Sequence, residues 1–119
     1  MIKVVATIKR TEGMSLEDFA RYYFEDHLAL CRATVPPHVA SVIRRNVQNH
    51  AIHLGGSTTE PPYDCVTEIE FDDLQGLATW TSWYLGPEGK PLRDDEDAFM
   101  DKRRRIVVVT DVRVPPQYS

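Results

Sequence analysis

The stretch GMSLEDFARYYFEDHLALC, residues 13–31, carries the clearest helical pattern in the chain and sets a histidine in its apolar face. Ser15 is a suitable N-cap, its hydroxyl placed to accept the N–H of Asp18, and Asp18 stands where a capping-box acid reaches back. Met14 and Phe19 flank the cap as a hydrophobic staple. At about 100° per residue, Leu16, Phe19, Ala20, Tyr23, Phe24, His27, Leu30 and Cys31 share one arc. Glu17, Asp18, Arg21, Glu25 and Leu28 fall outside it. His27 lies near the middle of the arc, an ionisable ring aimed at the core. Two readings follow. Either the ring is buried neutral with both nitrogens hydrogen-bonded, or the helix covers a cavity and His27 is an acid or base for proton transfer.

Working outward, IKVVATIK (residues 2–9) alternates Ile2, Val4, Ala6 and Ile8 against Lys3, Val5, Thr7 and Lys9, the pattern of a strand with one face in the core. The first helix should end before Pro36-Pro37. VASVIRRNVQ, residues 39–48, reads as a second strand, with Arg44, Arg45 and Asn46 at or near its end. NHAIHLGGSTTEPP, residues 49–62, is rich in loop signals and holds His50 and His53. YDCVTEIEF, residues 63–71, is a third strand. Asp72 or Asp73 then caps a helix to about Leu85, with a stripe of Leu74, Leu77, Ala78, Thr81, Tyr84 and Leu85. Trp80 borders that stripe and Trp83 lies outside it, so a further segment, a subunit interface or a site mouth must cover Trp83. A short helix over 91–100 and a strand over 105–114 complete the chain. Strand, helix, strand, strand, helix, short helix, strand is the ferredoxin-like βαββαβ plan of α+β proteins: an antiparallel sheet with helices on one face. The outer sheet face, read as carrying Val5, Val107 and Val109, is too apolar for water, so a homodimer is expected.

The bulk composition bounds the function. The chain has 119 residues, 42% hydrophobic and 27% charged, with net charge −4. That fits one globular domain over 1–119 and disfavours nucleic acid or an anionic membrane as the main partner. The basic run Lys102-Arg103-Arg104-Arg105 lies close to the acidic run Asp94-Asp95-Glu96-Asp97, and the two read as mutually compensating. The N-terminus is too strand-like for a signal peptide, and no apolar run approaches a membrane span. Cys31 and Cys65 show no metal or redox spacing, which suits free thiols in a reducing cytoplasm.

Three segments in order resemble the EthD family of the dimeric α+β barrel superfamily. They are GMSLEDFARYYFEDH (13–27), YDCVTEIEFDDLQGL (63–77) with Asp64, Glu68 and Phe71, and DDEDAFMD (94–101) with Asp95, Glu96, Phe99 and Asp101. The chain departs from the family pattern at PPHVASV, where His38 and Val42 stand in place of glycine and then tyrosine. The 49–62 loop is also longer. The resemblance implies a cofactor-independent enzyme, without metal, acting on a small aromatic, polyketide or lactone-like acid by dehydration, decarboxylation or isomerisation. It implies His27 as general acid/base. The alternatives it leaves are a cofactor-free monooxygenase of anthrone-like phenols and a non-catalytic small-ligand-binding accessory protein.

Beside His27, Tyr23 either donates a hydrogen bond to an enolate or carboxylate oxygen or is a core aromatic with a satisfied hydroxyl. Phe24, Tyr23 and Trp80 are read as flat apolar walls for a substrate. Arg44 or Arg45 is placed to clamp a carboxylate, and His53 or His50 to reach the cavity from the loop. Two histidines without a third ligand do not make a metal site. Asp95 and Glu96 are given no chemistry.

Overall fold

The computed structural model describes residues 1–117. Strands β1 (Ile2–Ile8), β2 (Arg45–His50), β3 (Cys65–Phe71) and β4 (Ile106–Asp111) form one antiparallel sheet in the order β2-β3-β1-β4. Helices α1 (Leu16–Arg21), α2 (Leu28–Thr34), α3 (Pro37–Ala40), α4 (Leu74–Leu85) and α5 (Lys90–Phe99) complete the ferredoxin-like α+β fold. No helix among the described residues is long and apolar enough to cross a membrane.

The first helical run starts where its cap residue directs. Ser15 accepts the Asp18 N–H at 3.0 Å. Between α1 and α2 the winding loosens into a π-helical stretch, Tyr22–His27, which changes the facing of the aromatic residues. In an α-helix Phe24 would stand about 60° from His27 and Tyr22 about 140°. At the roughly 80° per residue of a π turn, Tyr22 comes within about 40° and Phe24 swings out to about 120°. Phe24 is accordingly 60% exposed, which corrects its place on the apolar arc, while Tyr22, Tyr23 and His27 turn inward. Their rings gather about Phe99 of α5, whose centroid lies 5.0 Å from His27, 5.1 Å from Tyr22 and 5.2 Å from Tyr23. Phe99 is fully buried with Phe19 and Ile8, and truncating such a ring costs about 3–5 kcal/mol.

Three further expectations change. Residues 37–40 are helical rather than the start of a strand. Pro37 takes the first helical position, where its missing N–H costs nothing, and the Val39 and Ala40 amides bond the Pro36 carbonyl at 3.0 and 2.9 Å. The second strand therefore begins at Arg45 and continues to His50, so His50 is a strand residue. Leu74 and Leu85, expected on the stripe of α4, are about two-thirds exposed, while Trp83 is covered by a further segment as expected, by Leu92 of α5 together with Val39 of α3. Finally, the pairing of Val4 with Val109 and of Ala6 with Val107 puts Val107 and Val109 on the helix side. The outer face instead carries Val5, Val108 and Ile106, with Lys3 paired to Glu68 at 2.9 Å and Glu70 at 3.4 Å.

Candidate active site

A cavity of about 360 Å³ lies between the sheet and α4. Its floor is built of Val4, Ala6, Thr67, Ile69, Val107 and Val109, every second residue of three adjacent strands. Leu77, Trp80, Thr81 and Tyr84 of α4 form its roof, and the Trp80 and Tyr84 rings stack at 5.5 Å. The remaining wall holds Tyr23, Glu96, Met100 and Arg105. An apolar chamber with a few converging polar groups is the usual form of a small-molecule site.

Glu96 is the centre of the polar wall. It lies on the buried stripe Leu92, Glu96, Phe99 of α5, at i, i+4 and i+7, so an acid occupies a position where an apolar residue would ordinarily sit. The turn before α5 brings it close to α4. A Cβ at Gly89 would meet the Tyr84 carbonyl oxygen at 2.2 Å, so only glycine permits that approach. Arg93 secures the joint by donating to the Tyr84 carbonyl and, at 2.8 Å, to that of Gly86. Glu96 Oε1 accepts from the Tyr84 hydroxyl and faces Lys102 Nζ at 3.3 Å and Arg105 Nη1 at 3.5 Å. Its other oxygen stands 3.8 Å from His27 Nε2.

His27 is 5% exposed and lies one residue behind the cavity wall. Its Nδ1 is 2.8 Å from Asp95 Oδ2, and the Tyr22 hydroxyl donates to Asp95 Oδ1 at 2.5 Å. A proton on Nδ1, donated to Asp95, leaves the Nε2 lone pair toward Glu96. The arrangement is an imidazole oriented by one carboxylate and facing a second. Both phenols stay protonated. Burial beside Glu96 pushes Tyr84 up to about 12, and burial pushes Tyr23, 2.8 Å from Thr67 Oγ1, well above its ordinary range.

Of the residues singled out from sequence, Tyr23 and Trp80 line the cavity and His27 adjoins it through Glu96. Phe24 faces solvent. Arg44 is exposed and spends its fork on Asp72, with Nε and Nη2 each at 2.8 Å, so it clamps nothing in the cavity. His53 is exposed in the loop after β2. His50 packs against Phe19 and Tyr23, its Nδ1 buried without a partner among the described residues, and burial lowers its pKa. No group of three metal-ligating side chains occurs among the described residues. Cys31 is pushed up to about 11 by burial, which removes it as a thiolate nucleophile.

Sequence reasoning missed Glu96, Tyr84 and Arg105 as one cluster. The acid on the apolar stripe of α5 was the available signal. The Arg105 contact could not be read from the acidic and basic runs, whose charges could pair in many ways. Lys102 does pair with the acidic run as expected, with Asp97 at 3.1 Å, whereas Arg103 pairs outside it, with Asp101 at 3.1 Å. A larger polar cleft, of about 650 Å³, lies at the far end of β1. Its Lys9 and Arg10 are committed to Glu60 and Asp64.

A model of the EthD domain matches residues 11–103. Among solved structures, the chain is similar to an ethyl tert-butyl ether D family protein from Bacillus halodurans. The two are 19% identical over 95% of this chain and 99% of that one, with a TM-score of 0.63. It is similar to an EthD-like protein from Ralstonia eutropha, 16% identical over 97% of this chain and 94% of that one, with a TM-score of 0.67. It is also similar to a dimeric ferredoxin-like protein of unknown function from Thermobifida fusca. Here identity is 13% over 93% of this chain and 90% of that one, and the TM-score is 0.61. No curated protein matches. At these identities the likeness to solved structures speaks for the fold.

Proposed function

The chain belongs to the EthD family, and from that premise we propose that it is a cofactor-independent lyase or isomerase acting on a small aromatic, polyketide or lactone-like acid. The observation that carries this reading is the Asp95–His27–Glu96 line, which runs from a held imidazole to a carboxylate in the wall of an apolar cavity. Asp95 fixes the ring with Nε2 toward Glu96, so a proton taken from substrate by Glu96 is passed to His27 and returned by the same route. In an isomerisation the proton leaves one carbon and returns to another. In a dehydration it leaves carbon and returns on the departing hydroxide as water. Tyr23, protonated and paired with a Thr67 hydroxyl that can itself be the donor, supplies an O–H for the oxygen on which charge develops. Trp80 gives a flat wall to an aromatic ring.

The working form in this proposal is a homodimer. Ile106 and Val108 on the outer face, and Val107 and Val109 on the cavity side of the same edge strand, are each slightly over half exposed. A second copy would cover them. The dimeric neighbour from Thermobifida fusca supports the same assembly.

The test is a panel of aromatic and lactone acids incubated with purified protein, followed by mass for loss of water, loss of carbon dioxide or isomerisation. Turnover that falls by about 10²–10⁴ in His27→Gln is the expected result. Oxygen consumption would move the reading to a monooxygenase. A second reading, a non-catalytic binding protein, is favoured by one observation: His27 stands behind the cavity wall rather than in it. It requires His27→Gln to leave both ligand affinity and substrate unchanged.

A further inference from the structure

Arg105 is the one cation in the cavity wall among the described residues, and its guanidinium is only partly used. Its contacts all run through Nη1, to the Tyr84 hydroxyl at 3.4 Å, Glu96 Oε1 at 3.5 Å and Met100 Sδ at 3.8 Å. Each is at the long limit of a hydrogen bond. Nε and Nη2 have no acceptor among the described residues. A fork of this kind, one edge loosely tethered and the other free, matches a carboxylate that accepts two parallel N–H bonds. The neighbouring charges allow it. Lys102, 3.3 Å from Glu96 and 3.1 Å from Asp97, shares the Glu96 charge with Arg105, whose own contact to that carboxylate is the longer at 3.5 Å.

We propose that Arg105 is the substrate-anchoring residue of this cavity, and that the ligand is a planar apolar acid whose carboxylate lies on the free edge of the guanidinium and whose ring lies along Trp80 over the valine and isoleucine floor. The proposal rests on the cavity reading above and names the ligand class for it. It places the carboxylate beside Glu96, so that the carbon next to the acid group is the one presented to the proton-transfer pair.

The experiment uses 1-naphthoate and its neutral amide, 1-naphthamide, titrated against the full chain with tryptophan emission as the signal, since Trp80 lines the cavity. The wild-type protein should bind the acid more tightly than the amide. Arg105→Gln should weaken the acid by about ten- to a hundredfold, the range for a hydrogen bond to a charged group, and leave the amide unchanged. Arg105→Lys, keeping charge without the fork, should fall between. Equal affinity of acid and amide for the wild type overturns the proposal, as does an unchanged affinity of the acid in Arg105→Gln. If the glutamine variant loses the amide as well, the cavity itself has been damaged, and the wild-type preference and the lysine variant decide. His27→Gln should bind naphthoate like the wild type, so anchoring and catalysis fail separately.

Discussion

Two buried carboxylates in this molecule have much the same neighbours and opposite characters. Asp64, fully buried just before β3, is held by the Arg10 amide at 2.7 Å, Arg10 Nη1 at 2.5 Å and Lys9 Nζ at 3.3 Å. Those cations are in turn closed off by Glu60, 2.5 Å from Lys9 and 2.8 Å from Arg10. Glu96, 8% exposed, also faces a lysine and an arginine, but at 3.3 and 3.5 Å, with one oxygen turned toward a histidine and the carboxyl bordering a cavity. Burial and cationic neighbours are common to both. What separates them is how fully the hydrogen-bonding capacity is used. A saturated cluster fixes the chain, while one that borders a cavity with contacts to spare is available to a ligand and a proton.

Four measurements would sharpen or break this contrast, and the largest effect is expected at the histidine. Loss of about 10²–10⁴ in turnover is expected for His27→Gln once a substrate is in hand. A variant that turns over normally would reduce the Glu96 side to structure and erase the distinction. Next is Asp64→Ala, which strands the Arg10 amide and takes from Lys9 and Arg10 their one buried carboxylate, leaving them the exposed Glu60. It should lower unfolding free energy in urea by about 3–5 kcal/mol. Glu96→Gln keeps the Tyr84 bond and leaves Lys102 on Asp97, so about 1–2 kcal/mol is expected. Were Glu96→Gln the costlier of the two, the assignment of roles would be reversed.

The smallest effect concerns pH. Hydrogen bonds from Lys9 and Arg10 hold Glu60 at about 2, below its ordinary 4.5. A carboxyl depressed by folding adds stability that is complete above about 4.5 and is lost as pH falls toward 2. Glu60→Gln should therefore flatten that part of the stability profile, and an unaltered profile would show that the Asp64 cluster does not depend on its outer acid.

The elements legible in the sequence were those set by neighbouring residues. Alternation marks β1 and β3, the Ser15 cap marks the start of α1, the choice between Asp72 and Asp73 brackets the start of α4, where Asp73 is the cap, and period 3.6 turns His27 inward. Where two local signals conflict the reading failed. The valines after Pro37 have strand propensity, yet a proline in the first helical position and a pocket for Val39 between Trp83 and Leu92 outweigh it. The site was half legible for a related reason. His27, Tyr23 and Trp80 could be placed by the periodicity of their own elements. Glu96, Tyr84 and Arg105 become a cluster only because Gly89 lets two helices approach, a fact about chain crossing that no spacing records. Arg44, read as a carboxylate clamp, precedes β2 at the opposite end of the sheet from Arg105, and strand alternation does not say which end of the sheet the cavity occupies.

The π-helical stretch has a consequence that is evolutionary. Substitution changes what a side chain is, but only adding or removing a residue changes which way all its neighbours on a helix face. Wound as an α-helix, residues 22–27 would carry Tyr22 about 140° from His27, and the hydroxyl that now holds Asp95 would look into solvent. A descendant shortened by one residue at exposed Phe24 would retain every residue named in the site and nearly all of the core. It would also keep Tyr22 about 40° from His27, since four residues of α-helix turn through about 400°, so the π turn absorbs one extra residue while the side chains of the site keep their facing.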